Sequence, residues 1–331
     1  MNTKTLAPSV SFADVEAAAQ RLRNRVVHTA LIENAALNER LGARILIKPE
    51  VLQHTGSFKF RGAYNRVIQF TPAQREAGIV AWSSGNHALA VSSVGARLGI
   101  QATILMPSDA PVAKVEGARK LGATVRLYDR KTENREAIGT EIAERTGAVI
   151  VPPYDDPHVI AGQGTLGIEL IQQATALEAT LDAALVSCSG GGLAAGVATA
   201  IHVLSPNTAV WCVEPEQFDD TARSLASGTR VGNPAGRQSI CDSLQVQSPG
   251  DITFPINQAL LAGALTVSDE DVRQAIRIAY EDLRLVVEPG GAAPLAALLA
   301  GKLDIRDKTI GIVLSGGNVD ADKFATYIQQ P

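Results

Sequence analysis

From Gly78 onward, short apolar segments alternate with longer segments of helical pattern, and this alternation constrains the fold more than any other feature. Three of the longer segments stop at Gly99, Gly122 and Gly147, as helices commonly do. The predicted strands cover residues 79–82, 102–106, 123–128 and 148–151, and the predicted helices cover residues 86–98, 111–121 and 134–146. Short apolar strands separated by helices form parallel sheets with helices on both faces. We therefore predict an α/β protein.

A second series of the same kind follows the first. Its predicted strands cover residues 184–188 and 209–213, and the predicted helix between them covers residues 193–203; a further apolar strand is predicted at residues 310–313. Near the start of the chain, Ser11 and Asp14 have capping-box spacing before a helical pattern, and residues 43–47 form a predicted strand. The 331 residues suffice for two lobes or for one large α/β domain. We expect the chain to leave the first series near Pro152.

Charge and cysteine content exclude several classes of protein. The formal net charge is -4, from 30 basic and 34 acidic residues spread along the chain, so no basic run indicates binding to nucleic acid or to an anionic membrane. Residues 1–10 lack the charged start and apolar stretch of a signal peptide. Cys188, Cys212 and Cys241 are widely spaced and odd in number, which argues against a disulfide framework or a four-ligand zinc site. These features predict a cytoplasmic protein that does not associate with membranes.

A glycine-rich segment, residues 189–196 (Ser-Gly-Gly-Gly-Leu-Ala-Ala-Gly), follows a predicted strand and begins a predicted helix. Backbone N–H groups there are free of Cβ crowding and lie at the positive end of a helix dipole, which suits a phosphate. The spacing of Gly190, Gly192 and Ala195 also fits a dinucleotide-binding fingerprint, with Glu214 as the acid that binds a ribose. A plain tight turn is the third interpretation. On this segment alone, all three stay open.

Lys59 lies in a segment of glycine, serine and aromatic residues, residues 55–63 (Thr-Gly-Ser-Phe-Lys-Phe-Arg-Gly-Ala). A lysine between two phenylalanines is usually a surface residue of an amphipathic element. The alternative is a lysine that forms a Schiff base, whose pKa burial must lower so that the neutral amine can attack an aldehyde. Two more polar segments follow predicted strands, residues 83–87 (Ser-Ser-Gly-Asn-His) and 315–318 (Ser-Gly-Gly-Asn). Open α/β sheets bind ligands at such positions, although each segment is also compatible with an ordinary turn.

Together and in this order, these motifs resemble the fold-type II pyridoxal-phosphate (PLP) enzymes, in the branch of serine/threonine dehydratases and serine racemases. The resemblance runs over roughly residues 18–320. It implies two open, twisted, mainly parallel sheets with flanking helices, and PLP bound between two domains. The implied large PLP-binding domain comprises residues 1–77 and 152–331, and the implied small mobile domain comprises residues 78–151. The resemblance further implies a homodimer.

The resemblance also implies a role for each motif residue. Lys59 would form the Schiff base with PLP and then remove the Cα proton, while Ser84 would handle a proton on the opposite face. The implied cofactor contacts are Lys59, Phe58, Asn86, Ser189, Gly190, Gly191, Gly192, Leu193 and Ser315. The implied substrate contacts are Ser83, Ser84, Asn86, His87 and Arg135. A neutral hydroxyl at the ring nitrogen, from Ser315, stabilises pyridinium less than a carboxylate does, which favours loss of a β-leaving group.

The segment after Val213 resembles the divalent-cation loop of the same branch. Glu214 and Asp220 would supply carboxylates and Phe218 a backbone carbonyl, an all-oxygen set suited to Mg²⁺ or Ca²⁺. The competing interpretation is an acid-rich loop that is only solvated.

The predicted reaction removes water from a β-hydroxy L-amino acid such as threonine, serine or phenylserine, and yields a 2-oxo acid and ammonia. The alternatives are racemisation of serine, dehydration of threo-3-hydroxyaspartate, and a PLP- or nucleotide-binding regulator without turnover. Leu89 and His54 replace the glutamine and lysine of the racemase effector site, so activation by ATP is not expected. Val246 replaces a serine of the racemase branch, which predicts an apolar β-substituent rather than a charged one.

Overall fold

The computed structural model describes residues 9–110 and 112–329 of the chain. The strands are β1 (Arg44–Pro49), β2 (Ile79–Trp82), β3 (Ala102–Pro107), β4 (Thr124–Tyr128), β5 (Val149–Ile150), β6 (Ala183–Ser187), β7 (Ala209–Pro215), β8 (Gly263–Val267) and β9 (Thr309–Leu314). The helices are α1 (Phe12–Leu22), α2 (Ala35–Leu41), α3 (Lys59–Val67), α4 (Pro72–Ala77), α5 (Asn86–Leu98), α6 (Val112–Lys120), α7 (Arg135–Thr146), α8 (Pro157–Ala176), α9 (Gly192–Leu204), α10 (Asp220–Ser227), α11 (Thr253–Leu260), α12 (Asp269–Glu281), α13 (Pro289–Leu299) and α14 (Ala321–Gln329).

These strands form two sheets in which the neighbouring strands run parallel. The five-stranded sheet has the order β1-β9-β6-β7-β8, and the four-stranded sheet has the order β4-β3-β2-β5. The predicted α/β class, with two mainly parallel sheets and flanking helices, is confirmed. The four-stranded sheet lies within residues 78–151, while every strand of the other sheet lies outside that range. The division into a large domain and a small mobile domain at these residues stays a prediction.

Element boundaries follow the predicted ones closely in the first series. Helix α5 covers the predicted residues 86–98, and Gly99 ends it in the left-handed conformation, with φ 67°. Strand β5 is shorter than the predicted 148–151, because only Val149 and Ile150 pair with β2 at the edge of the sheet. The helix predicted at 111–121 is α6, although Pro111 itself lies outside the described residues. Residues 1–8 also lie outside the described residues, and they make up most of the segment that lacks a signal-peptide pattern.

The five-stranded sheet buries apolar side chains on both of its faces. On one face the strands pack against α12 and α13, through residues such as Ile276 and Leu295. On the other face they pack against α8 and α9, through residues such as Leu166 and Val197. None of the helices in the described ranges is both long enough and apolar enough to span a membrane.

Glycines let three helices beside this sheet approach one another closely. A Cβ atom at Gly164 of α8 would lie 2.7 Å from the carbonyl oxygen of Gly196 in α9. A Cβ atom at Gly162 of α8 would lie 2.7 Å from the Cα of Gly62 in α3. Because larger side chains do not fit at these contacts, α8 holds both α3 and α9. Helix α3 begins at Lys59 and α9 begins in the glycine-rich segment, so this packing fixes two predicted cofactor motifs relative to each other.

Candidate active site

The predicted motifs lie in loops at the carboxyl ends of strands from both sheets, where open parallel sheets bind their ligands. The loops are residues 83–85 after β2, 188–191 after β6 and 315–320 after β9. The backbone N–H of Phe58 donates to the carbonyl of Ser315 (3.1 Å), and Ser57 forms a β-bridge with Gly316. The start of α3, with Lys59, is thereby joined to the serine motif that follows β9.

Lys59 has the environment of a reactive amine. Its Nζ donates to the carbonyl of Pro153 (2.7 Å) and lies 5.1 Å from the centre of the Phe58 ring. The Lys59 side chain is partly exposed to solvent, but its ammonium group is surrounded by protein atoms. This burial lowers the pKa of Lys59 to about 8, against the opposing charge of Glu288. A larger fraction of neutral amine is therefore present near neutral pH than for an ordinary lysine.

Residues 83–87 form the turn that starts α5, and Gly85 occupies the N-cap position without a side-chain cap. The side chain of His87 is buried, and its Nε2 lies 2.8 Å from the carbonyl of Val151. Burial and the nearby Lys59 charge lower the pKa of His87 to about 3, so the ring is neutral. The Nε2 must then carry the proton and donate to Val151, which leaves Nδ1 as an acceptor. His87 can offer a carboxylate its backbone N–H but no ring proton.

Asn86 is held by two other polar side chains. Its Nδ2 donates to Glu288 Oε1 (2.6 Å), and its Oδ1 accepts from Asn318 Nδ2 (2.7 Å). Asn86 and Glu288 are both buried. Sequence reasoning named Asn86 but missed Glu288 and gave Asn318 no role, since 202 residues separate Asn86 from the carboxylate that it contacts.

The glycine-rich segment forms a cradle of backbone at the start of α9. Gly191 has φ +90°, and a Cβ atom at Gly190 would lie 2.3 Å from the ring of Tyr154. Thr253 Oγ1 donates to the carbonyl of Gly190 (2.6 Å), and Asn257 Nδ2 donates to that of Gly191 (3.2 Å). These bonds turn the two carbonyls toward α11, while the first N–H groups of α9 have no helical partner. The cradle therefore fits a phosphate.

Four predicted substrate or cofactor residues have less defined surroundings. Ser83 and Ser84 are half-buried, and Ser83 Oγ accepts from the backbone N–H of Gly85 (3.1 Å). Ser315 is buried at the end of β9. Arg135 is exposed in the first turn of α7, and among the described residues it forms no ion pair. The structure does not join Arg135 to the other motif residues, and its role stays a prediction.

The predicted metal ligands lie between the end of β7 and the start of α10. Both Glu214 oxygens accept backbone N–H groups, from Thr221 (3.0 Å) and Ala222 (2.9 Å). Asp220 Oδ1 accepts from Asn233 Nδ2 (2.6 Å), while Oδ2 is buried and has no hydrogen-bond partner among the residues that the structure describes. Burial raises the pKa of Glu214 to about 8 and that of Asp220 to about 6. Within residues 9–110 and 112–329, no group of three or more His, Cys, Asp or Glu side chains is arranged to hold a metal ion. A site here would depend on a backbone carbonyl such as that of Phe218.

Comparisons with known proteins agree with this arrangement. The family model described as pyridoxal-phosphate dependent enzyme matches residues 22–316. An L-threo-3-hydroxyaspartate ammonia-lyase from Pseudomonas sp is 43% identical over 96% of this chain and 98% of its own length. A serine racemase from Schizosaccharomyces pombe is 40% identical over 97% of this chain and 98% of its own length. The crystal structure of a T.th. threonine deaminase matches with a TM-score of 0.88 and 42% identity, over 94% of this chain and 99% of that one.

Proposed function

The chain belongs to the fold-type II pyridoxal-phosphate dependent enzymes, and from this premise we propose that it is an ammonia-lyase acting on a β-hydroxy L-amino acid. It would remove water from the substrate and release a 2-oxo acid and ammonia. The observation that carries the proposal is the desolvated Lys59, whose Nζ donates to the carbonyl of Pro153. The next residue, Tyr154, packs on Gly190 of the cradle, and Phe58 beside Lys59 is bonded to Ser315. The dinucleotide interpretation of Gly190 and Glu214 gives way to the PLP interpretation, because the family match covers the glycine-rich segment together with the Lys59 motif.

The residues present fit PLP. The cradle from Ser189 to Leu193 would hold its phosphate, Lys59 its aldehyde carbon, Asn86 its 3-hydroxyl and Ser315 its ring nitrogen, with Phe58 against the ring. When bound, PLP withdraws electrons from the Cα of an attached amino acid. Lys59 would take the Cα proton, and its lowered pKa favours that task near neutral pH. The N–H groups that start α5, with Ser83, Ser84 and Arg135, would bind the substrate carboxylate.

Racemisation is a second candidate activity, supported by the serine racemases among the relatives. It requires a proton on the face of Cα opposite Lys59, which Ser84 would supply. We expect Ser84→Ala to reduce racemisation strongly while it leaves elimination partly intact, and Lys59→Ala to abolish both. Equal loss of both activities in Ser84→Ala would assign Ser84 to the carboxylate alone.

Two chemical classes of β-substituent are candidates for the substrate, an apolar group and a carboxylate. Val246 supports an apolar substituent, as in threonine or phenylserine. The identity to hydroxyaspartate ammonia-lyases supports a carboxylate instead. A cation for it is available in Lys114 of α6, whose Nζ lies 3.4 Å from Asp242 Oδ2. The charge of Lys114 also lowers the pKa of the buried Glu288, which contacts Asn86 of the candidate site.

A substrate panel tests the proposed function. Purified holoenzyme is mixed with L-serine, L-threonine, L-threo-phenylserine and L-threo-3-hydroxyaspartate, and 2-oxo acid and ammonia are measured in parallel. We expect equimolar 2-oxo acid and ammonia from at least one of them, with no product from Lys59→Ala. Protein that lacks the yellow band of lysine-bound PLP and contains stoichiometric NAD would overturn the proposal.

Three further features belong to the same proposal. A Mg²⁺ or Ca²⁺ ion would bind Glu214, Asp220 and the Phe218 carbonyl, supported by the unpartnered buried oxygen of Asp220. The enzyme would act as a homodimer, as the family resemblance implies. It would work in the cytoplasm, which its three free, buried cysteines support.

A further inference from the structure

Glu288 is a buried carboxyl group that the proposed mechanism does not use. It stands directly before α13, with 4% of its surface exposed, and its Oε1 accepts from Asn86 Nδ2 at 2.6 Å. Its backbone N–H donates to the carbonyl of Gly316 (3.0 Å), beside Ser315. A Cβ atom at Gly316 would lie 2.7 Å from Glu288 Oε1 and 3.0 Å from Asn86 Nδ2, so glycine at this position makes room for the contact.

The hydrogen bonds around Asn86 allow only one orientation of its amide. Asn318 Nδ2 donates to the carbonyl of Thr55 (2.7 Å) and to Asn86 Oδ1 (2.7 Å), so it presents a donor to Asn86. Glu288, as a carboxylate, can only accept. The NH₂ end of Asn86 must therefore face Glu288, and the carbonyl end must face Asn318. One N–H of Asn86 remains available to a ligand.

We propose that Glu288 is a positioning residue that fixes the Asn86 amide so that its remaining N–H donates to the 3-oxygen of PLP. This inference rests on the proposed function, because it requires PLP in the site with its 3-oxygen at Asn86. Without Glu288, only Asn318 would hold the Asn86 amide, at its carbonyl end, and the NH₂ end would lose the acceptor that directs its remaining N–H toward the 3-oxygen.

The charges around Glu288 make the contact sensitive to pH. Burial raises the pKa of Glu288 to about 7, with a further increase from Asp242, while Asn86 and Lys114 lower it. Lys59 of α3 also interacts with Glu288, because the charge of Glu288 raises the pKa of Lys59. The carboxyl group thus changes charge near neutral pH, one side chain away from the cofactor oxygen.

The first test is a pH titration of the absorption spectrum of bound PLP, in wild type, Glu288→Gln and Asp242→Asn. In wild type, the ratio of the two absorption bands of the lysine-bound cofactor should change with a midpoint near 7. Glu288→Gln keeps an acceptor for Asn86 but cannot ionise, so this midpoint should vanish. Asp242→Asn should move it to lower pH, because Asp242 raises the pKa of Glu288. A midpoint that persists unchanged in Glu288→Gln would overturn the proposal.

The second test is a double-mutant cycle on PLP affinity, with Glu288→Ala, Asn86→Ala and the double variant. Each single substitution should weaken PLP binding by about tenfold, the size expected for one buried hydrogen bond to a charged group. The double variant should bind PLP about as weakly as Asn86→Ala alone. Additive losses, or unchanged affinity in Asn86→Ala, would overturn the positioning role while the Lys59-dependent yellow band upholds the proposed function. Absence of that band in wild type would overturn both. If thermal melting shows that Glu288→Ala is unfolded, the Glu288→Gln titration decides.

Discussion

Lys59 keeps its amine among protein atoms, where the charged form is costly. Because only the neutral amine attacks an aldehyde, we expect the rate at which apoenzyme takes up PLP to rise with pH and to level off above about 8. The measurement is the initial rate at which the yellow band appears after mixing. Glu288→Gln should lower the midpoint, since Glu288 raises the pKa of Lys59. A midpoint at the ordinary lysine value of about 10.4 would contradict this account.

At the scale of residues, sequence motifs identify functional side chains whose neighbours in the chain are glycine, serine or aromatic residues. Lys59 and Asn86 were found in this way. Glu288 and Tyr154 were not, because their sequence neighbours give no signal and only the fold brings them to the motifs. His87 is an intermediate case: the sequence placed it in the site, but only the bond to Val151 shows that its ring has no proton for a carboxylate.

At the scale of elements, β1, α3 and α8 are tied by a buried ionic cluster of Lys48, Glu50, Arg61 and Glu169. Arg61 contacts Glu50 (2.8 Å) and Glu169 (2.6 Å), and Lys48 contacts Glu169 (2.6 Å). Burial opposes the charge of Arg61, but the two carboxylates raise its pKa above the ordinary value. Since Arg61 is in the first turn of α3, the cluster also anchors the turn that carries Lys59.

We expect Glu169→Ala to lower the free energy of unfolding by about 3–5 kcal/mol, because it leaves two buried cations short of a partner. The control is Glu116→Ala, which breaks an exposed pair with Arg119 on α6 and should change stability by less than about 1 kcal/mol. Urea unfolding of both variants and wild type measures the difference. A loss in Glu169→Ala no larger than in the control would show that the cluster contributes no net stability.

The loop between β7 and α10 provides a second prediction at this scale. If an ion binds Glu214 and Asp220 only in the folded state, Ca²⁺ or Mg²⁺ at a hundredfold excess over its Kd should stabilise by about 2.7 kcal/mol. Thermal melting in EDTA, with and without added cation, measures this effect. Asp220→Asn should lose the response, while Glu216→Gln, an exposed acid in the same loop, should keep it. Identical melting curves for wild type in EDTA and in excess cation would remove the metal from this loop.

Helices that begin or end at glycine were predictable, but helix α8 was not. The pattern predicted α5 and α7 because they end at Gly99 and Gly147, and it predicted α9 because α9 begins in the glycine-rich segment. Helix α8 was missed, because most of its 20 residues are buried on several sides and it therefore has no clear apolar stripe. The glycines of α8 allow close packing against α3 and α9, and this role cannot be recognised without the positions of those helices.

At the scale of the whole molecule, the candidate site takes residues from loops of both sheets. The pair Lys114 and Asp242 also joins the two parts, since α6 flanks the four-stranded sheet and Asp242 lies within the segment of the five-stranded one. The sequence predicted the alternation of strands and helices along the chain but not this contact, because 128 residues separate the partners. The contact bears directly on the β-substituent of the proposed substrate.

If Lys114 binds the second carboxylate of a substrate, Lys114→Met should lower kcat/KM for L-threo-3-hydroxyaspartate by about tenfold to a hundredfold, the range for a hydrogen bond to a charged group. The value for L-threonine should change by less than about threefold, since its methyl group needs no cation. Asp242→Asn should raise kcat/KM for hydroxyaspartate, because the substrate carboxylate then no longer competes with Asp242. Lys120→Met, an exposed lysine on the same helix, is the matched control. Equal losses for both substrates in Lys114→Met would mean that Lys114 holds the two parts of the molecule together rather than binding the substrate. The apolar β-substituent predicted from Val246, as in threonine or phenylserine, would then remain the proposal.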